Sequence, residues 1–177
     1  TLVITSAITD ANLGALLGKT SVSATVEIDA SSMSNTELSA VAANIGVVDE
    51  ISNLVLTSAQ TVSPADEITA LLSKSVASAS TGKAMAVATA TGMSGAQINA
   101  LAGSAAKLAN NGITGTLVLV NAVTDANMVI LLGGTPAKVA AAASVEFNGT
   151  DMTSTQLVHA VTYASLVDTT YNLSLTS

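Results

Sequence analysis

His159 is the only histidine in this 177-residue chain, and its imidazole is the side chain best suited to moving protons near neutral pH. A Ser-His-Asp arrangement would need a serine and an aspartate converging on it. The strained Gly-x-Ser-x-Gly turn that presents such a serine is missing, and the nearest run, Gly92-Met93-Ser94-Gly95, has the wrong spacing. His159 falls instead within a helical pattern, where its counterparts in related stretches are Ala40 or Ser39 and Asn99 or Ala100. The expectation is an exposed helical side chain, no catalytic residue and no enzyme.

The carboxylates raise a second chemistry, calcium binding. Glu27 and Glu146 alternate outward on matching strand patterns, and Asp29, Asn148 and Asp151 follow directly. Calcium takes about six to eight oxygens, supplied in known motifs by closely spaced acids. Neither an EF-hand loop nor a Gly-Gly-x-Gly-x-Asp nonapeptide is present, and Ala stands in the middle copy where Glu27 and Glu146 stand in the others. Glu27, Asp29, Glu146 and Asp151 are the candidate calcium ligands, and no other cofactor is implied. Asp10 and Asp125 occupy first helical turns, where negative charge meets the helix dipole. Gly133-Gly134 follows a helix rather than opening one, so it cannot cradle phosphate.

Charge excludes several partners. Twelve acids stand against five lysines with no arginine, for a net charge of −7. Nucleic-acid binding needs a basic footprint, so it is rejected, and so is an anionic membrane surface. No apolar run reaches the roughly 18 residues of a spanning helix. The closest stretch, Ala137 to Phe147, is interrupted by Lys138, Ser144 and Glu146, so membrane insertion is excluded too. Cysteine is absent, which removes disulfides and thiolate metal sites. Hydrophobic residues make up 49% of the chain but aromatics only 2%, so the core must be thin and closely spaced.

Behind these residues lies a repeat. Met93-Ser94-Gly95-Ala96-Gln97-Ile98-Asn99-Ala100-Leu101-Ala102 recurs as Met33-Ser34-Asn35-Thr36-Glu37-Leu38-Ser39-Ala40-Val41-Ala42 and as Met152-Thr153-Ser154-Thr155-Gln156-Leu157-Val158-His159-Ala160-Val161. The period of about sixty residues divides the chain into three copies within a single domain, about 1–53, 54–116 and 117–177. Each copy splits into two strand-plus-helix halves. First-half strands are Leu2-Val3-Ile4, Leu54-Val55-Leu56 and Leu117-Val118-Leu119, with Leu173-Ser174-Leu175 as a closing copy. Second-half strands are Val26-Glu27-Ile28, Ala86-Val87-Ala88 and Val145-Glu146-Phe147. All six predicted helices begin with a capping pair: Thr9/Asn12, Ser34/Glu37, Ser63/Asp66, Ser94/Gln97, Thr124/Asn127 and Thr153/Gln156. Three of these are capping boxes, and Pro64 suits a first helical position. The middle Met-Ser helix is expected to run through Leu108 and stop at Asn110-Asn111-Gly112, with the glycine left-handed. Tyr163, Tyr171 and Phe147 cluster in the last copy and are expected to fill a gap where a stack continues.

Like-ordered βα modules imply parallel strands, and short modules that cannot close a core alone must stack. The Leu-x-Leu strand followed four to six residues later by an apolar residue (Ile8, Met33, Val62, Met93, Val123, Met152) resembles the leucine-rich-repeat class. That resemblance implies an α/β solenoid with a parallel sheet on one face and helices on the other. The class carries a turn-bonding Asn after the strand, and here Ala7, Ser31 or Gly92 falls near that place. The Ala/Thr/Ser-rich, cysteine-free repetition also resembles very large bacterial surface or secreted proteins. The chain opens and closes in the same phase of the repeat, so it is expected to be an excerpt of a longer protein. The expected function is a non-catalytic structural or adhesive segment, extracellular or on the cell surface. The alternative is a protein- or glycan-binding module using the exposed strand face, with a calcium-dependent role. Open end strands predict head-to-tail self-association.

Overall fold

The computed structural model describes residues 1–5, 10–21, 23–56, 65–76, 85–87, 90–134 and 138–173. The first repeat contributes β1 (Leu2–Ile4), α1 (Asp10–Lys19), β2 (Val26–Asp29), α2 (Asn35–Ala43) and β3 (Glu50–Ser52). The second contributes β4 (Val55–Leu56), α3 (Ala65–Lys74), β5 (Met85–Val87), α4 (Gly95–Gly103) and β6 (Leu108–Ile113). The third contributes β7 (Leu117–Leu119), α5 (Asp125–Leu132), β8 (Val145–Asn148), α6 (Ser154–Thr162) and β9 (Val167–Tyr171).

Each repeat forms one three-stranded parallel sheet, ordered β1-β2-β3, β4-β5-β6 and β7-β8-β9. Parallel pairing is the direct result of like-ordered strands separated by helices. The helices pack consecutively, α1 on α2 through to α5 on α6. Neighbouring repeats are also joined by backbone. Ile51 at the edge of the first sheet bridges Ser75 of the second repeat, and Ile113 bridges Val139 of the third. The Val76 N–H donates to the Ile51 carbonyl at 3.0 Å, and the Ala140 N–H donates to the Ile113 carbonyl at 2.8 Å.

The alternation read from the sequence places one face of each strand inward. Val26 and Ile28 are buried while Glu27 and Asp29 are half-buried on the other face, and Val145, Glu146, Phe147 and Asn148 repeat the pattern. Helix residues at i, i+3 and i+4 meet them from the other layer: Leu38, Val41 and Ala42 from α2, and Ile98, Leu101 and Ala102 from α4. All belong to one hydrophobic cluster that runs from Ile4 to Phe147.

The strict capping boxes form as predicted at Ser34/Glu37, Ser94/Gln97 and Thr153/Gln156. Thr124 caps α5 by accepting from the Asn127 N–H. Each such cap contributes about 1 kcal/mol. Thr9, Ser63, Pro64, Ala88 and Ser174–Ser177 lie outside the described residues, so the features expected there are not described. Ile8, Val62 and Ala7 lie outside them as well.

Two local expectations are corrected. The middle Met-Ser helix ends at Gly103, and Leu108–Ile113 is a strand rather than the last helical turn. Ala105 and Leu108 are buried, but through a turn after α4. The left-handed residue is Asn111, at φ 56°, where β6 bulges against β5, and not Gly112. The third strand of each repeat, β3, β6 or β9, was not anticipated at all. Leu173 lies just beyond β9 rather than in a closing strand.

Candidate functional site

Because α6 packs on α5, His159 is turned inward and its side chain is only 14% exposed, which corrects the expectation of an exposed side chain. Nε2 lies 3.4 Å from Oδ1 of Asp125 in the first turn of α5. That is within ion-pair reach, yet it is not aligned for a hydrogen bond, and Nε2 is buried with no hydrogen-bond partner. The ring stacks on Tyr163 with centroids 6.2 Å apart and planes 26° from parallel. Tyr163 in turn covers Gly133, where a Cβ would stand 3.0 Å from the tyrosine Cζ. In a triad the carboxylate holds the imidazole by a hydrogen bond, and the Asp125–His159 pair does not make that bond. The hydroxyl beside Asp125, Thr124 Oγ1, accepts the Asn127 N–H at 3.3 Å as a helix cap. Sequence reading missed Asp125 as the partner. The available signal was that both residues sit on helices adjacent in the repeat order.

The calcium candidates are dispersed over two repeats. Asp29 Oδ1 accepts from the Ser31 N–H and from Asn53 Nδ2, each at 3.1 Å. At the same phase of the third repeat, Asn148 Oδ1 accepts from the Thr150 N–H at 3.2 Å, from its hydroxyl at 2.9 Å and from Asn172 Nδ2 at 3.1 Å. The strand-ending Asp or Asn is thus tied to the next turn and to the next strand. Asn53 and Asn172 reach back from left-handed positions, each at φ 54°. Neither Ser31 nor Gly92, which with Ala7 fall near the place of the turn-bonding Asn of the leucine-rich-repeat class, makes these bonds through a side chain among the described residues. Asp151 also takes a left-handed turn conformation, at φ 57°. Glu27 stands beside Glu50 of β3 in register, whereas Glu146 stands beside Thr169 of β9. Among the described residues no three His, Cys, Asp or Glu side chains converge where they could hold a metal ion.

Other polar side chains join each strand-helix half to its neighbour, Gln156 within the third repeat and Asn99 and Ser39 across a repeat boundary. Buried Gln156 donates from Nε2 to the carbonyls of Asn121 and Val123 at 2.7 and 2.9 Å, while its Oε1 accepts the Thr153 N–H at 2.8 Å. Asn99 of α4 clasps the start of α5: its Nδ2 donates to the Ala122 carbonyl at 2.9 Å, and its Oδ1 accepts from the Thr124 N–H and from Asn127 Nδ2. Ser39 of α2, at the same phase, donates to Glu67 of α3 at 3.0 Å.

Two clefts of about 330 Å³ each open on the helical layer. One lies between α2 and α3, lined by Ala42, Ala43, Glu67 and Ala70. The other lies at the outer side of α6, lined by Leu157, Ala160, Val161, Ala164, Thr170 and Leu173. The walls of the second are almost wholly apolar. Phe147 is fully buried in the core and Tyr163 lies back on α5, so the aromatic cluster does not form this wall. The chain matches no known family model, no curated protein and no solved structure. No helix among the described residues is long and apolar enough to cross a membrane.

Proposed function

We propose that this chain is a leucine-rich-repeat-like α/β solenoid, a non-catalytic structural or adhesive segment of a large bacterial cell-surface or secreted protein. The observation that carries this reading is the way the repeated polar side chains are used. Ser34, Ser94 and Thr153 cap helices; Asp29 and Asn148 tie strands; Asp49 and Asp168 accept the first N–H of β2 and β8 at 2.7 and 2.8 Å. Residue types that would do chemistry elsewhere satisfy backbone groups here, at the same phase in different copies. Such spending on regularity is what a stacked array requires, since each unit contacts only its neighbours. An antibody raised against the chain should label intact producing cells or their culture medium. Labelling confined to lysed cells would contradict the assignment.

The second reading is a protein- or glycan-binding module whose exposed strand face acts with calcium. It would draw on the candidate carboxylates Glu27, Asp29, Glu146 and Asp151, of which Glu27 stands in register with Glu50 on the neighbouring strand. Calorimetric titration with calcium chloride tests it. Heat that vanishes in Glu27→Gln supports the module, and a flat titration removes it.

A further inference from the structure

The bulge of β6 selects a chemically labile dipeptide in the middle of the chain. Asn111 is held in the left-handed region at φ 56°, which asparagine tolerates better than most side chains. A Cβ on Gly112 would stand 2.7 Å from the Ala109 carbonyl oxygen, so only glycine fits beside it. The fold therefore sets asparagine directly before glycine, the pairing in which the next backbone nitrogen meets least hindrance on its way to the side-chain carbonyl carbon. Asn111 is exposed, and its side chain makes no hydrogen bond among the described residues. The same dipeptide recurs at Asn148-Gly149 in a different state. There Oδ1 is held by three hydrogen bonds, from the Thr150 N–H, the Thr150 hydroxyl and Asn172 Nδ2. The residue after Gly112 carries the junction to the third repeat. Ile113 donates its N–H to the Lys138 carbonyl at 3.0 Å and accepts the Ala140 N–H at 2.8 Å, while it stays in register with Val87 of β5.

We propose that Asn111 is a site of self-modification, converted through a cyclic imide to aspartate and isoaspartate, and that the isoaspartyl form unfastens the third repeat from the second. The Gly112 nitrogen gives up its proton to solvent base and attacks Cγ of Asn111. The N–Cγ bond forms as the Cγ–Nδ2 bond breaks, and Nδ2 leaves with a proton as ammonia. Water then opens the imide. Attack at Cγ gives aspartate, and attack at the main-chain carbonyl gives isoaspartate. The step changes no oxidation state, and water is its only co-reactant. Aspartate leaves the main chain at its original length and adds an exposed charge. Isoaspartate lengthens the main chain by a methylene immediately before Gly112-Ile113. Ile113 then cannot keep its register with Val87 on one side and its bonds to Lys138 and Ala140 on the other. The proposal stands on the geometry of this junction and is independent of where the chain is displayed.

Incubating the intact chain in mildly alkaline buffer tests it, with peptide mapping by mass spectrometry and fragmentation that separates aspartate from isoaspartate. Asn111 should convert about a hundredfold faster than Asn148, since three hydrogen bonds must open at Asn148 and each is worth about a factor of five. In the isoaspartyl chain, the NMR coupling of the Ala140 amide to the Ile113 carbonyl should be lost, while that of Val76 to Ile51 survives. Asn111→Gly suits the left-handed position and has no side-chain amide, so it should keep both couplings through the same incubation. Freshly prepared Asn111→Asp should keep both as well, because a charge alone does not shift the register. The proposal is overturned if Asn111 stays intact, if Asn148 converts as fast, if Asn111→Gly loses the Ala140 coupling on incubation, or if the isoaspartyl chain retains it.

Discussion

The outer repeats and the middle repeat reach one architecture with different side chains. In the first and third, the opening N–H of the central strand, from Val26 or Val145, is taken by the carboxylate of Asp49 or Asp168. In the middle repeat the opening N–H of β5, from Met85, goes to a backbone oxygen, that of Lys107, at 3.4 Å. The Lys107 side chain is thereby released for another task. Its Nζ donates to the carbonyl of Leu72 at 2.7 Å, at the C-terminal end of α3, where positive charge meets the dipole. What recurs across the copies is the satisfied backbone group, not the chemical group that satisfies it. A catalytic or ligand-binding site would constrain the reverse.

The comparison can be broken most forcefully at Gly95. A Cβ there would stand 2.9 Å from the Ala122 carbonyl carbon, because the loop before α5 crosses the start of α4. Gly95→Val should cost about 3 kcal/mol in urea unfolding. Val at Ser154, the exposed counterpart on α6, should change stability by no more than about 0.5 kcal/mol. Equal effects would mean that the repeats do not abut there.

Next in size is Asp49→Ala, which strands the Val26 N–H and should cost about 2 kcal/mol. The matched change Lys107→Ala leaves the backbone acceptor of Met85 in place. It should cost about 0.5–1 kcal/mol, the worth of a charge on a helix end. If Lys107→Ala proves the more damaging of the two, the equivalence of Asp49 with the Lys107 backbone is wrong. Asn53→Ala should cost about 1–2 kcal/mol, since it forces alanine into a left-handed conformation and removes the tie to Asp29. Asn53→Gly should recover most of the backbone part. The smallest effect is expected at Asp151, where glycine at φ 57° should leave stability unchanged or raise it by about 0.5 kcal/mol. A large loss at Asp151→Gly would point to a role for the carboxylate beyond the turn.

The repeats, the parallel strand order and the starts of α2, α4, α5 and α6 were legible because each rests on a local signal: recurrence, alternation or a capping pair. β3 and β9 were not legible. Glu50-Ile51-Ser52 offers one apolar residue between polar ones, and Val167–Tyr171 has no inward alternation; both become strands by pairing with β2 and β8. β6 was hidden by its bulge and by the helical spacing of Ala105 and Leu108, which a turn at 104–107 keeps inward after the helix has ended. At the candidate sites, Asp29 and Asp151 could be found as carboxylates, but their turn geometry could not. His159 was correctly placed on a helix. Its burial depends on α5 lying alongside, which one helix's sequence does not contain.

The claim that each repeat passes its last strand to the next is tested most directly by scalar couplings across hydrogen bonds in an NMR experiment on uniformly labelled chain. The account predicts that the Val76 amide couples to the Ile51 carbonyl and the Ala140 amide to the Ile113 carbonyl, both across a repeat boundary. Couplings that join those amides only to carbonyls of their own repeats would contradict it.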